Sequence, residues 1–505
     1  MFPLLVLANV VLCGIVAHWL VSNIDSDEVE HVHVAWALNQ GIMPYRDIHQ
    51  NHLPTLWIVV APALRRLPET AQTVLALRGM SILAIFGIYF IGLSVLREII
   101  GPLNRYHALS LSLLLLSIVP ITELYRFRPD PWMAFFSALA ILAAVRLKRS
   151  PQRYAFWCGL SLGIAAAFTT KMAPLCLLIP TLCLWECFRL RSVRPLLPIV
   201  PNAVGFIVGI LPVAGWIAFH GLFKDFQQSG LSGNCRQLNL GCGVVVHSVL
   251  ATCHMAVLPI LGGLLLLQDK RGDLLSSAWS PLRALLAALA LTWLIIILTP
   301  THNVYNLQAF AMPSAVAGAY FLPKVGEMLK RVTETRTRSW LLGFTLVCAV
   351  LASVLERPFS ECLRESSPNT IPRADLQRLI ELCGSRDATC VALAPWHPVF
   401  CRDATDLYLG WDYMHLAVPW TSDVEREKLI TMWRRAVAEI EEKPPTLVFS
   451  DKSNFPWSLA CRQKIISQDR YDRLLQFLQT HYWELPIDAS GKPTVFVRKE
   501  PAKQP

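Results

Sequence analysis

The sequence predicts an α-helical polytopic membrane protein with about eleven transmembrane helices, an interfacial helix in the first outer loop, and a small C-terminal α/β extracytoplasmic domain. Hydrophobic residues make up 54% of the 505 residues and charged residues only 16%, which is too apolar for an ordinary soluble domain. Apolar runs near the ~20-residue length of a bilayer crossing recur along the chain. The net charge of +10 comes from residues 1–355, whereas residues 356–505 are nearly neutral.

The apolar runs predict where the membrane spans lie. The first run has no basic segment before it and no small-residue cleavage site after it, so we interpret it as a retained signal anchor. The run at 131–145 is short for a crossing. The runs cover residues 2–21, 74–96, 106–122, 131–145, 154–170, 172–188, 197–219, 244–267, 281–299, 305–322 and 340–355.

The Lys and Arg residues between these runs predict the orientation of the chain. If the half-length apolar stretch at 53–67 does not cross the membrane, the basic segments all fall on one side, which the positive-inside rule makes cytoplasmic. Residues 53–67 are then an interfacial or re-entrant helix on the outer surface. The outer face carries residues 22–69, 123–130, 220–243 and 300–305 and the C-terminal tail. We expect a multi-pass protein of a bacterial inner membrane, with its active site and tail on the periplasmic side.

The tail, residues 356–505, is predicted to fold as a separate extracytoplasmic α/β domain beside the transmembrane domain of residues 1–355. Its 150 residues suffice for an independent core. Helices are expected near 374–383, 423–442 and 469–480, and short strands at Val391–Ala394, Thr446–Phe449 and Thr494–Val497. No basic stripe occurs that would indicate a nucleic-acid partner.

Acidic residues crowd the first outer loop directly after the first span. If residues 27–40 form a helix, Ser26 or Asp25 caps it, and Asp27 and Glu28 lie in its first turn, where the helix dipole favours negative charge. A carboxylate held there can accept a proton from a hydroxyl group, which is the task of a general base in group transfer. The alternative is a helix cap with solvated surface charges. Because ionisable residues between spans are costly to place, we favour catalysis by Asp27 and Glu28.

Histidines of the same loop raise the question of a metal site. His31, His49 and His52 lie near carboxylates and are potential ligands of a divalent ion. The His31-Val-His33 pair is not diagnostic, because two such side chains point apart on a helix. We therefore predict no metal and no required cofactor, with a divalent ion as the weaker alternative.

A second ionisable cluster lies at the outer end of a later span. Guanidinium groups bind phosphate bidentately, so Arg126 and Arg128 suit a phosphate, and Asp130 can orient them. The alternative is an interfacial anchor, with Tyr125 and Trp132 in the aromatic belt. We favour phosphate or substrate binding, by Arg128 and Asp130 ahead of Arg126.

Two further outer-face positions are candidate substrate contacts. Lys171 follows the 154–170 span and is either a snorkelling anchor or a counter-charge for a lipid phosphate. His302 and Tyr305 begin a later span on the same face and can contact a donor, although a lone interfacial histidine is more often structural.

Together these segments resemble the type C (GT-C) membrane glycosyltransferases, a superfamily that includes protein O-mannosyltransferases and lipid A aminoarabinose transferases. The resemblance covers roughly residues 1–325 and rests on a combination of motifs, each weak alone. The motifs are Asp27-Glu28, Gly41-Ile-Met-Pro44-Tyr45-Arg46-Asp47, His52-Leu-Pro54, Arg126-Phe-Arg128-Pro-Asp130, Gly159…Gly163…Lys171 and His302…Tyr305.

The resemblance implies a polyprenyl-phosphate sugar donor that the hydroxyl of a lipid, glycan or protein acceptor attacks on the outer face, with inversion at the anomeric carbon. It implies that Asp27 is the base and that Glu28 supports it. Aminoarabinose-type relatives carry Lys before the Pro motif, where this sequence has His52. The residues expected to bind the donor phosphate or substrate are Arg46, Asp47, His52, Arg128, Asp130, Lys171, His302 and Tyr305.

Two other function classes remain open at this point. One is a secondary transporter with an acidic and His-lined site, and the other is a non-catalytic scaffold. Transporters place coupling charges near the bilayer midplane, often between inverted repeats. Here the charges collect at the outer ends of the spans, which favours glycosyl transfer. We further expect both ionisable clusters to meet in one pocket beyond the outer bilayer surface.

Overall fold

The computed structural model divides into two compact units. The described residues of Met1–Val21, Arg78–His220 and Gln237–Glu365 form the first unit, and those of Ser22–Leu77, Gly221–Arg236 and Ser366–Pro505 form the second. The predicted boundary at residue 355 lies outside the described residues and stays a prediction. The structure describes residues 2–21, 24–48, 50, 52–121, 123–227, 279–298, 308–320, 370–383, 389–392, 399–403, 438, 442, 444–450, 468–486 and 494–499.

Helices occupy most of the apolar runs that the sequence predicts as spans. Within the described residues, three helical segments are long and apolar enough to cross a membrane: Ala71–Ile100, Thr170–Leu190 and Arg194–Phe219. The predicted runs at 244–267 and 340–355 lie outside the described residues, so the number of spans stays a prediction. In chain order the helices with defined bounds among the described residues are α1 (Phe2–Val21), α2 (Ser26–Asn39), α3 (Thr55–Leu64), α4 (Ala71–Ile100), α5 (Arg105–Ile121), α6 (Asp130–Val145), α7 (Pro151–Phe168), α8 (Leu178–Leu190), α9 (Ile199–Phe219), α10 (Phe223–Phe226), α11 (Pro281–Leu298), α12 (Arg373–Cys383) and α13 (Gln468–His481). Residues 311–320, within the predicted run at 305–322, are helical as well.

The predicted helix at 172–188 differs from the structure in its first half. Residues Thr170–Leu177 form a 3-10 helix, and the α-helix begins only at Leu178. Pro174 lies inside the 3-10 segment. Proline has no backbone N–H and its ring clashes with the preceding turn, which disfavours a regular α-helix here.

Glycines let α7 and α9 approach each other closely in the first unit. A Cβ atom on Gly159 or Gly163 would overlap the backbone of α9, and one on Gly205 or Gly209 would overlap the backbone of α7. The Asn202 side chain also donates a hydrogen bond to the Ala155 carbonyl (3.1 Å). Membrane helices commonly pack through such small residues, because backbone contact replaces the hydrophobic driving force that lipid does not supply.

We expect Gly205→Ala to destabilise the protein, because the new methyl group would overlap the Phe156 carbonyl oxygen. Overpacking of this kind typically costs about 1–3 kcal/mol. Gly215→Ala is the matched control on the same helix, because nothing lies within 4 Å of the Cβ position at Gly215. Thermal unfolding of both variants in the same detergent tests the expectation, and equal midpoints would contradict it.

The second unit combines the first outer loop with the C-terminal part of the chain. Strand β1 (Ile24–Asp25) pairs antiparallel with β2 (Thr370–Ile371). A separate five-stranded mixed sheet has the order β4-β3-β5-β7-β6. Its members are β3 (Thr389–Ala392), β4 (Arg402–Asp403), β5 (Leu447–Ser450), β6 (Tyr482–Pro486) and β7 (Thr494–Arg498). Three of these strands and the helices α12 and α13 overlap the predicted elements, whereas the strands at 402 and 482 were not expected.

Helix α3 accounts for the apolar stretch at 53–67. It contains ten residues, or about 15 Å, half the thickness of a bilayer core. Trp57 is fully buried, and Asn39 at the end of α2 donates to the Ala61 carbonyl (2.6 Å). A short helix packed on α2 fits the interfacial prediction in its length, while its position at a membrane surface stays a prediction.

Candidate active site

The N-terminus of α2 is capped by a reciprocal pair of hydrogen bonds. The Asp25 side chain accepts from the backbone N–H groups of Asp27 and Glu28, and the Glu28 side chain accepts from the Asp25 N–H (3.1 Å). This capping box satisfies N–H groups that have no partner within the helix. Of the two predicted caps, Asp25 is therefore the one that the structure uses, and Glu28 holds the geometry of the first turn.

Burial separates the acidic residues of this segment. Asp25, Glu28 and Glu30 are 3%, 0% and 2% exposed, whereas Asp27 is partly exposed. The alternative of solvated surface charges is therefore wrong for most of the cluster. Asp27 is the acidic residue between positions 25 and 30 that is partly exposed, and it lies in the helical turn where the dipole stabilises a carboxylate.

Two buried histidines on α2 have defined ring tautomers. The indole N–H of Trp57 approaches Nδ1 of His31 at 3.1 Å, and an indole N–H can only donate. His31 is therefore neutral, with its proton on Nε2. Nδ1 of His33 lies 2.9 Å from the Val399 carbonyl oxygen, which can only accept, so this nitrogen carries a proton. His52 packs edge-on against His31 with ring centroids 4.9 Å apart.

The Tyr-Arg-Asp motif forms a strained turn near α2. Tyr45 has a φ angle of 71°, which is rare for a residue other than glycine. Its hydroxyl donates to the His52 carbonyl (2.7 Å), and burial raises the pKa of this hydroxyl well above its usual range. The hydroxyl thus stays protonated and links the two predicted motifs.

Arg46 and Asp47 pair with each other on the surface of this turn, with Nε and Oδ1 3.1 Å apart. Burial raises the pKa of Asp47, but hydrogen bonds from Arg46 and from the Met43 N–H outweigh it, so the pKa of the carboxyl lies below its usual value. The exposed guanidinium is placed where a ligand can reach it, and the carboxylate fixes the turn.

The described residues contain no group of three or more His, Cys, Asp or Glu side chains arranged to hold a metal ion. Nδ1 of His31 accepts a hydrogen bond from the Trp57 indole, so this nitrogen is engaged within the protein. His49 lies outside the described residues. The absence of a required metal stays a prediction.

The basic cluster of the first unit is organised around Glu123. Oε2 of this carboxylate lies 3.2 Å from an Arg126 nitrogen and 3.1 Å from an Arg128 nitrogen. Glu123 also has a positive φ angle of 56°, a strain that tends to occur at functional sites. Glu123 was missed as a functional residue from the sequence, although it lies only three positions before Arg126. The Glu123 carboxylate thus holds two guanidinium groups close together.

Asp130 and Lys171 form a second ion pair in the same unit, with Nζ and Oδ1 2.7 Å apart. Both side chains are mostly buried. Asp130 starts α6, where the helix dipole favours a carboxylate. Lys171 lies in the 3-10 helix after α7, and its backbone N–H donates to Thr169 (3.4 Å). The pairing shows that Lys171 is turned into the protein, which disfavours the interpretation as a snorkelling anchor.

Two residues of α4 hold the basic cluster and were missed from the sequence. Arg78 is 1% exposed, donates to the carbonyls of Trp19 and Leu20 (both 2.9 Å), and packs against the Tyr125 ring. Ser81, one turn later, donates to the Arg126 carbonyl (2.7 Å). Arg78 is visible in the sequence as a charged residue inside the apolar run at 74–96. It does not lie in an outer loop, where the candidate site residues were expected.

We expect Arg78→Met to destabilise the first unit, because two carbonyls at the end of α1 lose a charged donor. Hydrogen bonds to charged groups contribute about 1.5–3 kcal/mol. Arg97→Met on the same helix is the matched control, since Arg97 is exposed in the last turn of α4. Thermal unfolding in detergent measures both, and an Arg78→Met midpoint within error of the control would be inconsistent with this role.

The structure brings the predicted site residues into two groups. Asp27, Glu28, Arg46, Asp47 and His52 lie in the second unit, and Arg128, Asp130 and Lys171 lie in the first. The meeting of the two groups in one pocket therefore stays a prediction. His302 and Tyr305 lie outside the described residues.

The fold is similar to those of several solved proteins. ArnT from Cupriavidus metallidurans, solved with undecaprenyl phosphate bound, has a TM-score of 0.59 at 11% identity, over 100% of this chain and 99% of that chain. The oligosaccharyltransferase AglB of Archaeoglobus fulgidus, solved with an inhibitory peptide and a dolichol-phosphate, has a TM-score of 0.53 at 11% identity, over 99% and 75% of the two chains. Both neighbours are GT-C glycosyltransferases. The chain has the GT-C fold.

The same archaeal oligosaccharyltransferase, tethered to an acceptor peptide with an NVT sequon, has a TM-score of 0.54 at 11% identity, over 99% and 74% of the chains. No protein-family model matches the sequence, and no curated protein matches it either. This similarity confirms the fold that the motif resemblance implies. It also confirms the predicted class, a helical multi-pass membrane protein.

Proposed function

We propose that this protein transfers a sugar from a polyprenyl-phosphate donor to an acceptor hydroxyl on the outer face of the membrane, with inversion at the anomeric carbon. The observation that carries the proposal is the partly exposed Asp27 carboxylate at the capped start of α2, beside acidic neighbours that are buried. The GT-C fold supports it, because ArnT was solved with undecaprenyl phosphate and AglB with dolichol-phosphate.

In this reaction Asp27 accepts the proton of the acceptor hydroxyl. The hydroxyl oxygen of the acceptor attacks the anomeric carbon at the same time. The bond between that carbon and the phosphate oxygen breaks, and the lipid phosphate leaves with the electron pair. A positioned base of this kind contributes about 10²–10⁴-fold to the rate. Asp25 and Glu28 hold the turn that presents Asp27.

The basic residues of the first unit are proposed to stabilise the departing phosphate. Arg126 and Arg128 both pair with the Glu123 carboxylate, and guanidinium groups of this kind can bind a phosphate bidentately. Lys171 adds a third cation, held by Asp130. Preorganised cations aimed at developing negative charge are a large source of rate acceleration. In the second unit, Arg46 and His52 are proposed to contact the donor or the acceptor.

Mass spectrometry of cell-envelope glycans with and without the gene tests this function. We expect one sugar substituent to disappear in the deletion strain and to return with the wild-type gene. An unchanged glycan profile, together with solute flux in vesicles that contain the purified protein, would favour the transporter instead.

A further inference from the structure

We propose that the C-terminal part of the chain is a positioning element of the active site, because it holds the helix that carries Asp27. The role of Asp27 as the base rests on the proposed function, whereas the coupling between the C-terminal segments and α2 stands on the contacts alone. Those contacts all lie within the second unit. They join the first outer loop to residues far away in the sequence.

The first contact fixes the residue that caps α2. Ile24 pairs with Ile371, and Asp25 pairs with Thr370. Ile24 and Ile371 are 0% and 2% exposed, so the pairing is buried. Asp25 is at the same time a strand residue and the cap whose side chain accepts from the Asp27 N–H (3.0 Å). The backbone of the C-terminal part therefore pairs directly with the residue that caps the turn carrying Asp27.

The second contact holds the middle of the helix. His33 is 1% exposed, and its Nδ1–H donates to the Val399 carbonyl. One turn later Trp36 packs edge-on against Phe400, with ring centroids 6.4 Å apart. A hydrogen bond to a backbone carbonyl has a defined direction and restricts rotation of α2 about its axis.

The third contact holds the far end of the loop. The Ala71 N–H at the start of α4 donates to Oε1 of Gln377 on α12 (3.0 Å). Within the loop, the Trp36 indole donates to Glu69 (2.9 Å). The loop is thus tied to the C-terminal part at its beginning, in the middle of α2 and at its end.

A base must hold its oxygen within hydrogen-bond reach of the proton that it removes. Displacement of a catalytic group by about 1 Å can cost 10²-fold in rate. A carboxylate on a helix that is tied at its start and in its middle, within a loop that is also tied at its end, meets this requirement better than one on a free loop. The role of the C-terminal part is therefore to hold the Asp27 carboxylate in position.

The test is hydrogen exchange of the α2 backbone amides in the purified full-length protein. In His33→Phe the Val399 carbonyl loses its donor, and we expect exchange at residues 27–39 to accelerate about fivefold, the factor that corresponds to one hydrogen bond. His33→Asn keeps a donor near the position of Nδ1 and should exchange within about twofold of the wild type. Transfer to envelope glycans should fall in His33→Phe and recover in His33→Asn.

Trp483→Ala is the control, because this side chain is 64% exposed on the strand at the edge of the C-terminal sheet. It should leave α2 exchange unchanged. If His33→Phe accelerates exchange throughout the chain, the variant is globally destabilised. Gln377→Ala then removes a single contact with less disturbance, and its faster exchange should be confined to the first outer loop. Unchanged α2 exchange in both variants would overturn the coupling. Faster exchange without loss of transfer would overturn the positioning role. An Asp27→Asn variant that still transfers sugar would instead remove Asp27 as the base and leave the transfer function standing.

Discussion

Asp27→Asn should reduce sugar transfer by about 10²–10⁴-fold, the contribution of a positioned general base. Asparagine has nearly the shape of aspartate but cannot accept the acceptor proton at neutral pH. The cap of α2 should survive, because Asp25 and Glu28 form it. Quantitative mass spectrometry of the envelope glycan, normalised to the amount of protein in the membrane, measures the effect.

Asp469→Asn is the matched control for this change. Asp469 is exposed in the first turn of α13, so the same chemical change there should leave transfer near the wild-type rate. An Asp27→Asn protein that transfers sugar at the control rate would remove this residue from the mechanism.

Two substitutions of Glu28 distinguish a role in capping α2 from a role in the chemical step. Glu28→Gln keeps a side-chain oxygen that accepts from the Asp25 N–H, and glutamine also occurs in capping boxes. We expect this variant to keep most of its activity, whereas Glu28→Ala loses the acceptor and about 1 kcal/mol of helix stability. Loss of transfer in Glu28→Gln at wild-type stability would instead assign Glu28 to the chemistry.

Lys171→Met should strongly destabilise the first unit and abolish transfer. The Asp130 carboxylate is mostly buried and loses this counter-charge, and removal of one partner of a buried ion pair costs about 3–5 kcal/mol. Thermal unfolding in detergent and the amount of folded protein in the membrane measure the first effect. Glycan mass spectrometry measures the second.

The double variant Lys171→Met with Asp130→Leu separates structure from phosphate binding. Replacement of a whole buried pair by apolar residues is often neutral for stability or better. We therefore expect the double variant to regain thermal stability but not transfer, because the proposed phosphate counter-charge is still missing. A stable double variant with wild-type transfer would show that Lys171 does not act on the donor.

Local patterns predicted a large part of the fold and the cap at the start of α2. The length of the apolar runs predicted the helices, because a bilayer crossing sets a minimum length that is visible in any window of the sequence. Acidic residues at a helix start predicted the cap, because capping involves residues only three positions apart. The Tyr45-Arg46-Asp47 motif was recognised, but its positive φ angle at Tyr45 was not.

Contacts between distant residues were not predictable in the same way. The pairing of Ile24 with Ile371 and the bond from His33 to Val399, 366 positions apart, leave no local pattern in either partner. The placement of Arg78 under Tyr125 depends on how α4 meets the end of α1. A single sequence carries no record of such pairs.

The sequence by itself determined that the chain contains long apolar helices with ionisable residues near their ends, because hydrophobic length and charge are properties of short segments. Only the tertiary structure decided which of the neighbouring acids is accessible. Asp27 is partly exposed and Glu28 is buried, although they are adjacent in sequence and alike in charge. Burial depends on what packs against each side chain, and the elements that pack there come from distant parts of the chain.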